Sequence, residues 1–184
     1  MLRDIELRPG DMFCARGTGI FSAGIRAAER WWSRDNEATY GHTGIILDSE
    51  GTVLDTLWKV ERTSLARYAG QQILIARPTH TIYGTPISTA AMANALESIV
   101  KTDVDRWYPV HRLLLHLIHP PLAKHIATGR QLVCSERGAK LLSMVAAREL
   151  PYTGATPDIL ADEWRRWRNF MVLLESTLPA NITN

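Results

Sequence analysis

The sequence predicts an α+β domain in which helices pack on an antiparallel β-sheet. Short β-rich runs are separated by turn signals such as the segment 48–51, which is typical of hairpins. Longer segments, among them 20–32 and 86–104, carry apolar residues at helical spacing. The order is strand, helix, several strands, and then helices with a final strand. This order is typical of an α+β domain whose antiparallel sheet has helices packed on it.

Length and composition are those of an ordinary globular domain. The chain has 184 residues, of which 46% are hydrophobic and 22% charged, so we predict a single domain over 1–184. The formal net charge of +2 argues against a nucleic-acid-binding protein. Residues 1–9 lack an apolar core and no run is long enough to cross a bilayer, so we expect neither a secretory leader nor a transmembrane segment. Cytoplasmic localisation with reduced cysteines is then the default, and export by a specialised secretion system is the alternative.

The first half of the chain is predicted to supply most of the sheet. Residues 8–16 form a turn and then a strand in which Cys14 is expected to be buried, and 20–32 is an amphipathic helix. The runs 40–47 and 52–60 are expected to pair as a hairpin.

The register of this hairpin decides which side chains share a face. If Asp48 pairs with Gly51, the numbers of opposed residues sum to 99, and Asp55 lies on the face of His42. A slip of one residue would place Thr56 there instead. Both Asp55 and Thr56 are therefore open as neighbours of His42.

The second half is predicted to be mainly helical. The segment 105–130 is apolar, holds four histidines and is broken by Pro120 and Pro121, so we interpret it as a helical insertion or lid. The other predicted elements are a helical turn (63–68), a strand (72–77), a helix (86–104), a helix beginning at Cys134, a helix opened by Thr156-Pro157-Asp158, and a last strand (169–174).

Cys134 carries the strongest chemical signal. Helix-breaking residues precede it and apolar residues recur at helical spacing after it, so we expect Cys134 at a helix start. The free amides and partial positive charge of a helix N-terminus favour a thiolate, but they lower its pKa by only about one unit. A reactive thiol therefore needs a second cation, and a histidine elsewhere in the chain must supply it.

His42 is the best candidate for that cation. It begins a predicted strand and is flanked by Gly41 and Gly44, which leave room for a substrate or a neighbouring helix. Asp55 on the next strand could accept a hydrogen bond from the second ring nitrogen, as the third member of such systems does. From these residues alone, a hydrogen-bonded strand histidine with a solvated aspartate is the competing interpretation.

Other signals have ordinary interpretations. His116 and His119 have the spacing of metal ligands, but no third ligand matches them, so we predict no metal and no cofactor. Glu136 is expected to cap its helix. The stretch 164–168 combines tryptophan and arginine and could bind phosphate or lipid headgroups, but such a run is more often a helix face with extended arginines.

Four blocks of the sequence resemble a known family. They are Gly10-Asp11 with the strand after it, 40–45, 133–136 and 156–160. Their order and spacing are similar to the circularly permuted branch of the NlpC-type papain-like superfamily, the YiiX- and YaeF-like proteins, and more distantly to the lecithin:retinol acyltransferase family. The resemblance runs from about residue 8 to about residue 172 without the insert. In that branch the histidine strand precedes the cysteine helix, as it does here.

The resemblance implies a papain-like fold and a cysteine hydrolase. It implies Cys134 as the nucleophile, His42 as the general base, and a polar residue of the next strand, Asp55 or Thr56, as the group that orients His42. The family acts on amide, ester or thioester bonds, and such chemistry passes through a covalent acyl-enzyme.

Acyl chemistry of this kind also needs hydrogen-bond donors for the oxyanion. The main-chain amide of Cys134 is one expected donor. Tyr40 and Ser135 are candidates for binding the oxyanion or the substrate, although Tyr40 could equally be a packing residue. The expected partner is a peptide or an acylated small molecule.

Three functional classes stay open. The first is an amidase or peptidase acting on peptidoglycan peptides, as a secreted effector or lysis protein with an immunity or inhibitor protein as its partner. The second is a lipid acyltransferase or phospholipase-like enzyme whose 105–130 segment contacts lipid. The third is a non-catalytic domain that binds lipid or protein on the same scaffold.

Overall fold

The computed structural model describes residues 5–32, 38–56, 58–81, 83–107, 133–146 and 156–179. Much of the predicted insertion, residues 108–132, lies outside the described residues, as do His111, His116, His119 and His125. The described elements are β1 (Met12–Ala15), α1 (Ile20–Trp32), β2 (His42–Ile46), β3 (Thr52–Thr56), β4 (Val60–Ser64), a short 3-10 helix (Leu65–Tyr68), β5 (Gln72–Pro78), α2 (Thr89–Asp103), α3 (Cys134–Val145), α4 (Pro157–Arg166) and β6 (Phe170–Thr177).

The strands form one six-stranded sheet in the order β4-β3-β2-β1-β5-β6. Each neighbouring pair is antiparallel. Helices α2, α3 and α4 pack on this sheet, so the predicted α+β class is confirmed. No described helix combines the length and the apolarity needed to cross a membrane.

The β2–β3 hairpin has the predicted register. Ile45 pairs with Leu54 and Ile46 with Val53. The turn is closed because the side chain of Asp48 accepts hydrogen bonds from the main-chain N–H groups of Glu50 and Thr52. This register places Asp55 on the same face of the sheet as His42.

One strand prediction is wrong. The run 52–60 is not a single strand, because β3 ends at Thr56 and β4 begins at Val60, and the two strands pair with each other. The sequence between them contains neither glycine nor proline, so it carries no turn signal. The predicted helical turn then shortens to the 3-10 helix, whose first turn is capped by the Ser64 hydroxyl.

The two faces of the sheet are both covered. One face carries Phe13, Ile46 and Val53, which form a buried cluster with Tyr68 of the 3-10 helix. The opposite face has two clusters, one under α4 around Trp164 and one under α2 and α3. The residues of these two clusters that lie on the first three strands are Met12, Cys14, Ile45 and Leu54.

Cys14 lies in the core, as predicted. Its side chain is fully buried under the start of α4, and its sulfur donates to the carbonyl oxygen of Pro157 at 3.3 Å. A small apolar side chain suits this position between β1 and α4.

Candidate functional site

The candidate site lies at one end of the sheet. His42 is the first residue of β2, and Asp55 lies just before the end of β3. Since the two strands are antiparallel, the start of β2 and the end of β3 meet at the same end. Helix α3 packs on β2, and Cys134 at its N-terminus lies near His42 and Thr43, at the same end of the sheet.

Close packing around β2 depends on its glycines. A Cβ atom on Gly44 would lie 2.5 Å from Cε1 of Phe13 and 3.0 Å from the carbonyl oxygen of Leu54. A Cβ atom on Gly41 would lie 2.7 Å from the carbonyl oxygen of Ser22 in α1. The helix alternative is therefore confirmed at Gly41, where α1 fills the space, and neighbouring strands fill the space at Gly44.

His42 and Asp55 form a buried pair. Nε2 of His42 lies 2.6 Å from Oδ1 of Asp55, and the two side chains are 5% and 0% exposed. Asp55 also accepts hydrogen bonds from the main-chain N–H of Thr56 and the hydroxyl of Tyr68, each at 2.7 Å. Burial would raise the pKa of the Asp55 carboxyl, but His42 and these donors lower it below its ordinary value.

Cys134 lies beside this pair. Its thiol interacts with His42 and with the main-chain N–H groups of Thr43 and Ser135, and these interactions act on its pKa. Because Asp55 engages Nε2, Nδ1 is the ring nitrogen left to face the sulfur. The order of contacts is therefore Cys134, His42, Asp55.

The electrostatics of this chain favour an ion pair. Burial would lower the pKa of His42, but the charge and hydrogen bond of Asp55, with a smaller contribution from Cys134, raise it to about 10. Burial would likewise raise the pKa of the Cys134 thiol, but His42 and the two amides lower it below its ordinary value. Both shifts favour a thiolate beside an imidazolium.

Asp55, and not Thr56, lies next to the imidazole. The hydroxyl oxygen of Thr56 accepts a hydrogen bond from Nη1 of Arg137. Nε of Arg137 in turn lies 3.2 Å from Oδ2 of Asp103, at the end of α2. Thr56 thus joins β3 to α3 and α2.

Tyr40 does not bring its hydroxyl to the candidate site. The phenol is buried in the cluster under α4, and its hydroxyl donates to Oε1 of Glu175 at 3.1 Å. Glu175 lies on β6, three strands away from β2 in the sheet. The proposed oxyanion contact of the Tyr40 side chain is therefore corrected to the packing alternative. Ser135, by contrast, is buried and its amide contacts the Cys134 sulfur.

Tyr68 is a residue of this site that sequence reasoning missed. Its hydroxyl donates to Oδ2 of Asp55, and its ring is stacked on the His42 ring with a centroid distance of 5.7 Å and an interplanar angle of 14°. Tyr68 follows β4, whose existence the sequence did not indicate. The strand pairing that brings it to Asp55 was therefore not predictable from local pattern.

Two carboxylates fix the chain segments that carry the candidate residues. Oε2 of Glu136 accepts from the main-chain N–H of Val133 at 3.1 Å, which confirms the predicted capping role. Oδ1 of Asp158, at the start of α4, accepts from the main-chain N–H groups of Thr39 and Tyr40 and holds the segment that enters β2.

The stretch 164–168 packs and forms ion pairs, as expected of a helix face with extended arginines. Trp164 is the buried tryptophan of α4. Arg165 forms ion pairs with Glu175 and Asp162, and its guanidinium lies 5.6 Å from the centroid of the Tyr40 ring. Within the described part of the chain, no group of three or more His, Cys, Asp or Glu side chains could hold a metal ion.

The fold is similar to that of a solved structure. No protein-family model matches the sequence, and no curated protein matches it. The crystal structure of the metalloprotein YiiX from Escherichia coli O157:H7, of the family DUF1105, matches 95% of this chain and 89% of its own chain, with 15% identity and a TM-score of 0.53. The description as a metalloprotein applies to YiiX and not to the chain described here. The chain described above shares its α+β fold with this protein.

Proposed function

We propose that the chain is a cysteine hydrolase that cleaves an amide, ester or thioester bond through a covalent acyl-enzyme. In this proposal Cys134 is the nucleophile, His42 moves the protons, and Asp55 orients His42. The observation that carries the proposal is the buried His42–Asp55 pair, with the Cys134 thiol beside it and interacting with His42. The YiiX-like fold supports it, because the sequence blocks resemble the YiiX- and YaeF-like branch.

The first half-reaction is attack of the Cys134 thiolate on the acyl carbon. A sulfur–carbon bond forms, and the carbonyl electron pair moves onto the oxygen. The main-chain amide of Cys134, at the first turn of α3, is the donor we assign to this oxyanion. When the tetrahedral intermediate collapses, the bond to the leaving group breaks and the His42 imidazolium gives its proton to that group.

The second half-reaction restores the site. Neutral His42 takes a proton from a water molecule as the water oxygen attacks the thioester carbon. The carbon–sulfur bond then breaks, the acid product leaves, and thiolate and imidazolium are regenerated. Asp55 stays ionised throughout and keeps Nδ1 of His42 directed at the sulfur.

The decisive test compares Cys134→Ala with Cys14→Ala. The two substitutions remove the same atoms, but Cys14 lies in the core under α4. We expect Cys134→Ala to lower hydrolysis by at least about a thousandfold, the scale found for nucleophile removal, and Cys14→Ala to keep most of it. Circular dichroism of both variants checks folding, and an unchanged rate in Cys134→Ala overturns the proposal.

The substrate panel separates the open classes. Short-chain acyl esters, acyl thioesters, phospholipid vesicles and purified peptidoglycan are each incubated with the protein, and products and acyl-enzyme are followed by mass spectrometry. Turnover of peptidoglycan peptides alone selects the amidase, and turnover of phospholipid selects the lipid-directed enzyme. A Cys134 thiol that reacts with iodoacetamide at neutral pH no faster than a model thiol favours the non-catalytic binding domain instead.

A further inference from the structure

Tyr68 contacts two members of the candidate site at once. Its hydroxyl lies 2.7 Å from Oδ2 of Asp55, the oxygen that His42 does not use. Its ring lies nearly parallel to the His42 imidazole. The side chain is 4% exposed and also packs against Phe13, with ring centroids 5.0 Å apart. A buried phenol with these contacts has little freedom to turn away.

We infer that Tyr68 is a positioning residue of this site. Its hydroxyl holds Oδ2 of Asp55 and its ring holds the face of the His42 imidazole, so that Oδ1 of Asp55 meets Nε2 of His42. This inference rests on the proposed function. It adds a fourth side chain to the three that the sequence indicated, and that side chain acts through Asp55 and His42 and does not touch the reacting atoms.

The hydroxyl has a specific chemical consequence. A carboxylate that shares its charge among several donors is a weaker acceptor for each of them. Asp55 receives donors from Tyr68, Thr56 and His42, so its pull on the imidazolium proton is moderated. His42 must release that positive charge when it protonates the leaving group, and an acceptor that is too strong would oppose this step.

The ring has a separate consequence. The stacked phenol covers one face of the imidazole and opposes a half-turn of the His42 ring, which would exchange the two nitrogens. Nε2 thus stays on Asp55 and Nδ1 stays available to Cys134. The titratable groups that face the imidazole are Asp55 from β3, Cys134 from α3 and Tyr68 from the 3-10 helix, and Arg67 is the cation beside Tyr68.

The test is Tyr68→Phe, which removes the hydroxyl and keeps the ring. The readout is the NMR resonance of the His42 Nε2 proton and the pKa of His42 in histidine-labelled protein, with His42→Gln used to assign the signal. We expect the proton resonance to move downfield and the pKa of His42 to rise by roughly 0.5 to 1 unit. This size is the part of a carboxylate's pKa shift that one of its several hydrogen-bond donors contributes. Tyr83→Phe, at an exposed tyrosine, is the matched control and should change neither quantity.

A second variant keeps the test decisive if Tyr68→Phe folds poorly. Replacing Tyr68 with 3-fluorotyrosine makes the hydroxyl a stronger donor in the same ring, so the His42 proton should move upfield, opposite to the phenylalanine variant. Resonances and pKa values equal to those of wild type in both variants overturn the inference. If wild-type Cys134 shows no raised reactivity towards iodoacetamide, the proposed function fails first, and the two failures are thus distinguished.

Discussion

At the scale of single residues, the candidate site depends on a buried carboxylate. Asp55 is fully buried, and an ionised carboxylate is stable in such a place only when its oxygens are paired. Oδ1 faces His42 and Oδ2 faces Tyr68. The charge of Asp55, and not only its shape, is therefore what stabilises the His42 imidazolium.

Asp55→Asn keeps the shape of the side chain and removes its charge. Because Asp55 raises the pKa of His42, the substitution should lower that pKa and weaken the cation that favours the Cys134 thiolate. We expect the pH midpoint of Cys134 alkylation by iodoacetamide to rise by about one to two units, read by mass spectrometry of the Cys134 peptide. Asp48→Asn makes the same change in the β2–β3 turn and should leave the midpoint in place. A midpoint that stays put in Asp55→Asn contradicts the role assigned to Asp55.

At the scale of elements, a buried hydrogen bond joins β3, which carries Asp55, to α3, which carries Cys134. Arg137 lies one turn after Cys134 on α3, and it donates to the hydroxyl of Thr56, the neighbour of Asp55 on β3. The same guanidinium pairs with Asp103 at the end of α2, which Lys140 also contacts. These ion pairs fix α3 against the sheet end where His42 lies.

Thr56→Val should therefore loosen α3. The valine is close in size to threonine but leaves Nη1 of the buried Arg137 without its acceptor, which costs about 1 to 3 kcal/mol of unfolding free energy. Urea unfolding measures this loss. Thr56→Ser keeps the hydroxyl and serves as the control, and it should be clearly more stable than the valine variant. Equal stability of the two variants would show that the contact with Arg137 contributes nothing.

At the scale of the whole molecule, acid stability depends on buried carboxylates. Burial opposes the charge of Asp55 and of Asp103. Partners that include His42 for Asp55 and Lys140 for Asp103 nevertheless lower the pKa of each carboxyl below the ordinary 3.8. A carboxyl whose folded pKa is lowered contributes stability that is present above its unfolded pKa and is lost as pH falls through the folded value. The folded state should therefore lose stability steeply below about pH 4.

Asp103→Asn tests the contribution of this carboxyl to the loss of stability in acid. The variant binds one proton fewer on unfolding, so its stability should fall less steeply than that of wild type as the pH drops below about 4. Urea unfolding at a series of acidic pH values gives the slope. Asp105→Asn removes an exposed carboxyl near the same helix end and should keep the wild-type slope. If the slope of Asp103→Asn equals that of Asp105→Asn, Asp103 does not contribute to the loss of stability in acid.

Local pattern predicted a large part of this molecule. The turn at 48–51 predicted the β2–β3 hairpin and offered the register that the structure has, with a slip of one residue as the alternative. The helix-breaking residues before Cys134 and the apolar spacing after it predicted the start of α3, which is confirmed. The contacts of Thr56, Tyr68 and Tyr40 were not predictable, because each depends on how distant segments meet. The break between β3 and β4 was missed since no turn residue marks it.

The hairpin has a consequence for when the site is assembled. His42 and Asp55 are 13 residues apart on neighbouring strands, so this pair is a local contact that closes a short loop. Cys134 lies far along the chain and meets His42 only when α3 docks on β2. Contacts of long sequence separation are costly to form and are absent from an unfolded chain. The Cys134 thiol therefore lacks its interaction with His42 in the nascent chain, and the lowering of its pKa by His42 arises only with the completed tertiary structure.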